Sequence, residues 1–184
     1  QGDVIAGGTA DDDIDFGNDA AADTFVFNLN TDGGSTAGIN LSAQDVDSFS
    51  NVDEAGAGDA EDVFRFDVNG SGSGFDGSAN NIGDGNASID AGEVEILTSA
   101  VADADAATLD GETTDGGTAN DSVIKVGYST ADDVAVIWFD TDAGASGGAG
   151  EVTILGTFDS LAGSDLTGAG DLAGLSNNNF DFIM

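Results

Sequence analysis

A chain of 184 residues can bury a hydrophobic core as one domain or two small ones. Its 36 acidic residues face only Lys125 and Arg65, giving a formal net charge of -34, and it contains no His, Cys or Pro. That balance excludes nucleic acid and anionic membrane surfaces as partners, because both need a basic patch, and it removes structural zinc, disulfides and imidazole or thiol catalysis.

The first residues carry the most specific pattern. Asp3-Val4-Ile5 and Asp12-Asp13-Ile14 repeat an Asp-x-apolar unit nine residues apart, and Gly7-Gly8-Thr9-Ala10-Asp11-Asp12-Asp13-Ile14-Asp15 lies close to the Gly-Gly-x-Gly-x-Asp-x-apolar-x nonapeptide. Glycines permit a tight turn, Asp side chains and turn carbonyls offer oxygen to a cation, and the apolar residue of each short strand faces inward. A looser third copy runs from Asn18 through Asp23-Thr24-Phe25. Here the chain resembles the repeats-in-toxin (RTX) family of calcium-binding β-roll proteins exported by type I secretion. The resemblance implies calcium at Asp3, Asp11, Asp12 and Asp23. Ala10 and Ala21 stand where the pattern has glycine, and Asp12 to Asp23 spans eleven residues rather than nine. Residues 1–24 are therefore expected to be the terminal turns of a parallel roll.

Beyond them the pattern suggests antiparallel β structure. Asp23-Thr-Phe-Val-Phe-Asn-Leu-Asn30 is echoed by Asp62-Val-Phe-Arg-Phe-Asp-Val-Asn69, with Phe25 and Phe27, then Phe64 and Phe66, alternating toward one face. Ser122–Tyr128 and Val134–Phe139 are further strands. Ala91-Gly-Glu-Val-Glu-Ile-Leu97 is echoed by Ala149-Gly-Glu-Val-Thr-Ile-Leu155, which admits either structural repetition or mere reuse of strand-forming residues. Short helices are expected at Leu97–Ala107 and Ser42–Phe49. Loops rich in Gly, Ser, Asp and Asn separate these elements. The fold expected is all-β: the end of a parallel β-roll, then an antiparallel β-sandwich-like domain over 25–184 with long calcium-binding loops. An apolar share of 40% and eleven Phe oppose disorder.

Asp supplies 30 of the acids and Glu only 6, alongside 29 Gly. Asp among Gly, Asn and Ser is turn chemistry, and it also packs hard oxygen ligands into a loop. Asp84, Asn86, Ser88 and Asp90 recur at alternate positions ahead of Glu93, so their side chains can converge on one ion, with Glu93 closing the shell. Asp140 and Asp142 precede Glu151, and Asp142 to Glu151 repeats the nine-residue offset of Asp84 to Glu93. An acidic solvated turn accounts for each loop equally simply. Several Ca2+ ions are the expected cofactors. Catalysis is poorly provided for: there is no Ser-His pair, a single Lys, and one Trp and one Tyr to build a sugar platform. No enzyme activity is expected.

The C-terminus carries a second resemblance. Val136-Ile-Trp-Phe-Asp-Thr-Asp, a Gly-rich loop, Val152-Thr-Ile-Leu-Gly156 and the closing Asn179-Phe180-Asp181-Phe182-Ile183-Met184 look like the C-terminal target region of type I secreted proteins. That implies an uncleaved export signal over about residues 150–184, consistent with no signal peptide being visible at Gln1. No run approaches the ~18 apolar residues of a membrane span. Together these features suggest a secreted bacterial protein, extracellular or on the cell surface. It would act as a calcium-binding structural subunit of a surface layer, filament or matrix, self-associating into a lattice or filament after passing the type I secretion apparatus. An export and folding module of an enzyme or toxin whose catalytic part lies upstream, or a calcium-dependent adhesin, stays open at this point.

Overall fold

The structure is a computed structural model that describes residues 2–8, 10–17, 21–28, 41, 46–53, 60–67, 93–112, 123–141, 151–161 and 163–183. From the start the chain alternates between two sheets. β1 (Val4–Ile5) opens the first sheet and β2 (Asp13–Asp15) the second. β3 (Thr24–Phe27) returns to the first, β4 (Ser48–Ser50) to the second and β5 (Val63–Asp67) to the first again. Every pairing among these strands is parallel, as it must be when each rung is reached by crossing to the opposite sheet and back.

The chain then leaves the alternation. β6 (Glu93–Ile96), the helix α1 (Ala106–Asp110), β7 (Val123–Ser129) and β8 (Val134–Asp140) precede β9 (Val152–Phe158), which lies parallel to β4. The second sheet thus runs β2-β4-β9-β8-β7-β6, and only β8 opposes its neighbours. A short antiparallel pair, β10 (Ser160–Leu161) and β11 (Ser164–Asp165), and two 3-10 turns lead to β12 (Phe180–Ile183). β12 joins β5 in parallel and completes the first sheet as β1-β3-β5-β12.

The protein is all-β, but its parallel part reaches further than the sequence pattern indicates. The echoed Asp-x-Phe-x-Phe segments are neighbouring parallel rungs, not antiparallel partners: Thr24 faces Val63, Phe25 faces Phe64 and Phe27 faces Phe66. Period-two alternation is the same for both pairing senses, and the excursion through β4 decides between them. Parallel pairing continues past residue 24 and ends on the closing strand β12. Antiparallel pairing in the second sheet is confined to β7-β8-β9.

Two helix expectations change. Of Leu97–Ala107 only the end is helical, because Asp105 accepts hydrogen bonds from the amides of Ala107 and Thr108 and starts the helix there. Val101 instead bridges to Ser129. In Ser42–Phe49, residues 42–45 lie outside the described residues, and Ser48 and Phe49 are strand, held between β2 and β9. The second echo places β6 and β9 in one sheet, pointing the same way on either side of the β7-β8 pair. Yet Val94 enters the larger core and Val152 the smaller one, so the two strands present opposite faces.

The larger core lies between the sheets. Phe25, Phe27, Phe64, Phe66 and Phe180 meet Ile14, Phe49 and Phe158; Phe25 and Phe49 have ring centroids 4.8 Å apart, and Phe49 and Phe64 5.1 Å. The smaller core covers the outer face of β7, β8 and β9, where Val101, Ala104, Ala106 and Leu109 pack on Val136, Trp138, Val152 and Ile154.

Candidate functional site

The alternation aligns an Asp immediately ahead of each early strand. In the first sheet Asp3, Asp23 and Asp62 occupy equivalent rung positions; in the second, Asp12 and Asp47 do. Neighbouring rungs are joined by a reciprocal pair of bonds. The Asp3 amide donates to Asp23 Oδ1 at 2.6 Å, while the Thr24 amide donates to the Asp3 carbonyl at 2.9 Å. The Asp23 amide donates to Asp62 Oδ1 at 2.8 Å, and the Val63 amide to the Asp23 carbonyl at 2.8 Å. Across the roll, the Asp12 amide donates to Asp47 Oδ1 at 2.8 Å, and the Ser48 amide to the Asp12 carbonyl at 2.9 Å. These carboxylates pin the register of the rungs.

Asp62 is the centre of the row. Only 1% exposed, it also accepts the Asp53 amide on Oδ2 at 2.8 Å. Asn179, fully buried, donates its Nδ2 to the carbonyls of Asp53 and Asp62 at 2.9 and 3.0 Å and so locks the approach to β12 onto this rim. Burial raises Asp62 from 3.8 to about 6; the two amide bonds work against that rise, and the charges of Asp53 and Asp23 add to it. The folded chain therefore binds this proton more tightly than the unfolded chain. Stability contributed by the protonated form is present below the unfolded value and is lost as pH rises toward and through about 6. Between pH 5 and 7 this group is expected to lower stability by about 1–1.5 kcal/mol. Denaturant titrations at the two pH values, without divalent cations, measure it. Asp62→Asn should flatten that difference, and an unaltered profile would refute the assignment.

The expected ligands fall into three groups. Asp3 and Asp11 are exposed at the roll turns and Asp12 is half-buried beside Gly7, whereas Asp23 is buried and engaged by the Asp3 amide. Asp84, Asn86, Ser88, Asp90 and Asp142 lie outside the described residues; Glu93 opens β6, and the Glu151 carbonyl accepts the Thr141 amide at 3.1 Å. Asp140 ends β8. It lies inside the sheet, 1% exposed, with Oδ2 2.9 Å from Lys125 Nζ, because its strand position is one of the inward ones over the smaller core. Among the described residues no three acidic side chains gather to hold a metal ion.

Several important polar residues are not evident from the ligand pattern. Asp62 could be found from the Asp-x-Phe-x-Phe echo of Asp23. Asp47, Asp53, Lys125 and Asn179 carry no such signal, since only the fold buries them. No family model matches the chain, and no curated protein or solved structure is significantly similar to it.

Proposed function

We propose that this is a secreted, calcium-binding structural protein whose acidic roll folds and assembles on meeting extracellular calcium. The observation that carries the reading is the fate of the two cations. Arg65 pairs with Asp181 at 2.9 Å and Lys125 with Asp140 at 2.9 Å, so a chain of net charge -34 has spent its own counter-charges. Further neutralisation has to come from outside, and clustered Asp oxygens in turns select a hard divalent cation. Exposed Asp3 and Asp11 and half-buried Asp12 offer carboxylates at the turns, and the Asp84–Glu93 and Asp142–Glu151 segments supply the other candidate ligands.

In the bacterial cytosol, where calcium is scarce, the chain repels itself and stays open for export through a type I apparatus. Outside, sites of about 10⁻⁴ to 10⁻³ M affinity fill, each adding about 1.4 kcal/mol at ten times its dissociation constant. The role is mechanical: a subunit of a surface layer, filament or matrix. Far-UV circular dichroism and thermal melting in chelator, in millimolar calcium and in sodium chloride of equal ionic strength test it. Four or five filled sites should raise Tm by roughly 10–20 °C, beyond any effect of sodium. Equal melting in calcium and in sodium chloride would overturn the proposal.

A further inference from the structure

The chain's single Lys is placed where an amine meets a carboxyl group out of water. Lys125 on β7 and Asp140 on β8 are 0% and 1% exposed, with Nζ and Oδ2 2.9 Å apart. Nζ also donates to the Glu112 carbonyl at 2.6 Å. Buried Trp138 stands opposite Lys125 in the β7-β8 register, and Val152 opposite Asp140. Glu95, half-buried, occupies the cross-strand position beside Lys125 on β6.

We propose that Lys125 and Asp140 are the site of a self-formed amide cross-link between β7 and β8. One proton passes from Nζ to the carboxylate along the hydrogen bond already present, giving a neutral amine and a carboxylic acid. The amine lone pair attacks Cγ once the carboxyl group rotates to present its face. Nζ stands 2.9 Å from Oδ2, so rotation of the carboxyl group is the movement needed to bring nitrogen and Cγ into the near-attack range of about 3–3.5 Å. The Nζ–Cγ bond forms, the Cγ–OH bond breaks, and the hydroxyl leaves as water with a second proton from nitrogen. Glu95 provides a carboxyl group on the neighbouring strand that can relay that proton. No oxidant, metal or co-reactant is needed. In bulk water the reaction is unfavourable, because ammonium and carboxylate are well solvated and water is in excess. Here both charges are desolvated at a cost; the neutral amide removes that cost, and the sheet excludes the water that would reverse the step. The product is a covalent staple across the β7-β8 hairpin, suited to a protein working outside the cell.

Intact mass spectrometry of the purified full chain, with tryptic digestion after denaturation, tests this. Arg65 and Lys125 are its only tryptic sites, so cleavage after Arg65 verifies that the chain is open to the protease. The cross-link predicts a mass lower than the sequence mass by one water and resistance to cleavage after Lys125. Asp140→Asn should reach the same final mass, since ammonia leaves where water left before, and Asp140→Ala should keep its full sequence mass whether or not it folds. A wild-type chain of full mass, or one that has lost water but is still cut after Lys125, overturns the proposal.

Discussion

Replacing Phe64 with alanine is expected to destabilise the protein by about 3–5 kcal/mol, seen as a lower denaturant midpoint at unchanged slope. Phe64 is fully buried on β5. Its ring lies 5.1 Å from Phe49, 5.8 Å from Phe16, 6.0 Å from Phe180 and 6.2 Å from Phe158. Phe49 and Phe158 belong to the second sheet, so this side chain carries contact from one sheet to the other. Truncation removes its apolar area and leaves a cavity that rigid β rungs on both sides cannot close. Phe64→Leu retains most of the volume and should cost much less, about 1–1.5 kcal/mol. A loss below about 1 kcal/mol for Phe64→Ala would mean that the sheets are not held together through this cluster.

Lys125→Met should cost about 3–5 kcal/mol, because it leaves the Asp140 carboxylate buried without its cation and the Glu112 carbonyl without its donor. The double variant Lys125→Met/Asp140→Leu replaces both charges by apolar groups of similar size and should recover most of that loss. Denaturant melts of the two single variants and the double variant give the coupling directly. Arg65 and Asp181 offer an internal comparison: their side chains are 33% and 50% exposed, and breaking that pair should cost at most about 1 kcal/mol. Equal costs at the two pairs would contradict the buried position of Lys125. The figures for Lys125 and Asp140 apply to the chain with the two side chains as an ion pair. An amide would replace that pair, and both single variants and the double variant would then lose the cross-link as well.

Much of the strand content was legible. Val123–Ser129 is the expected strand shifted by one residue, and Val134–Asp140 the expected strand with one residue more at its end, since runs of Val, Ile and aromatic residues bounded by turn residues specify strands locally. Phe25, Phe27, Phe64 and Phe66 all point inward as their alternation indicates. The roll motif at Asp12-Asp13-Ile14 does form a rung, with Ile14 buried between two exposed Asp. What was not legible is the use of the carboxylates. Asp23 and Asp3 look alike as Asp-x-apolar units, yet Asp23 is buried under an amide while Asp3 is exposed at the edge rung. Asp140 and Asp142 look like one ligand pair, yet Asp140 turns into the sheet toward Lys125.

The sequence by itself therefore determined that this chain makes strands, which of their faces are apolar, and that its charge is concentrated in turns, because these properties depend on residue type and a period of two. Only the tertiary structure decided that the Phe-rich echoes run parallel and that the closing segment joins them as the fourth strand of their sheet. It also decided which Asp among the described residues are withdrawn from water. Alternation is indifferent to strand direction, and an Asp beside a strand can face solvent or a neighbouring amide equally well. That choice is made when distant rungs come into register and a specific amide, or the one lysine ammonium, lies within hydrogen-bonding distance.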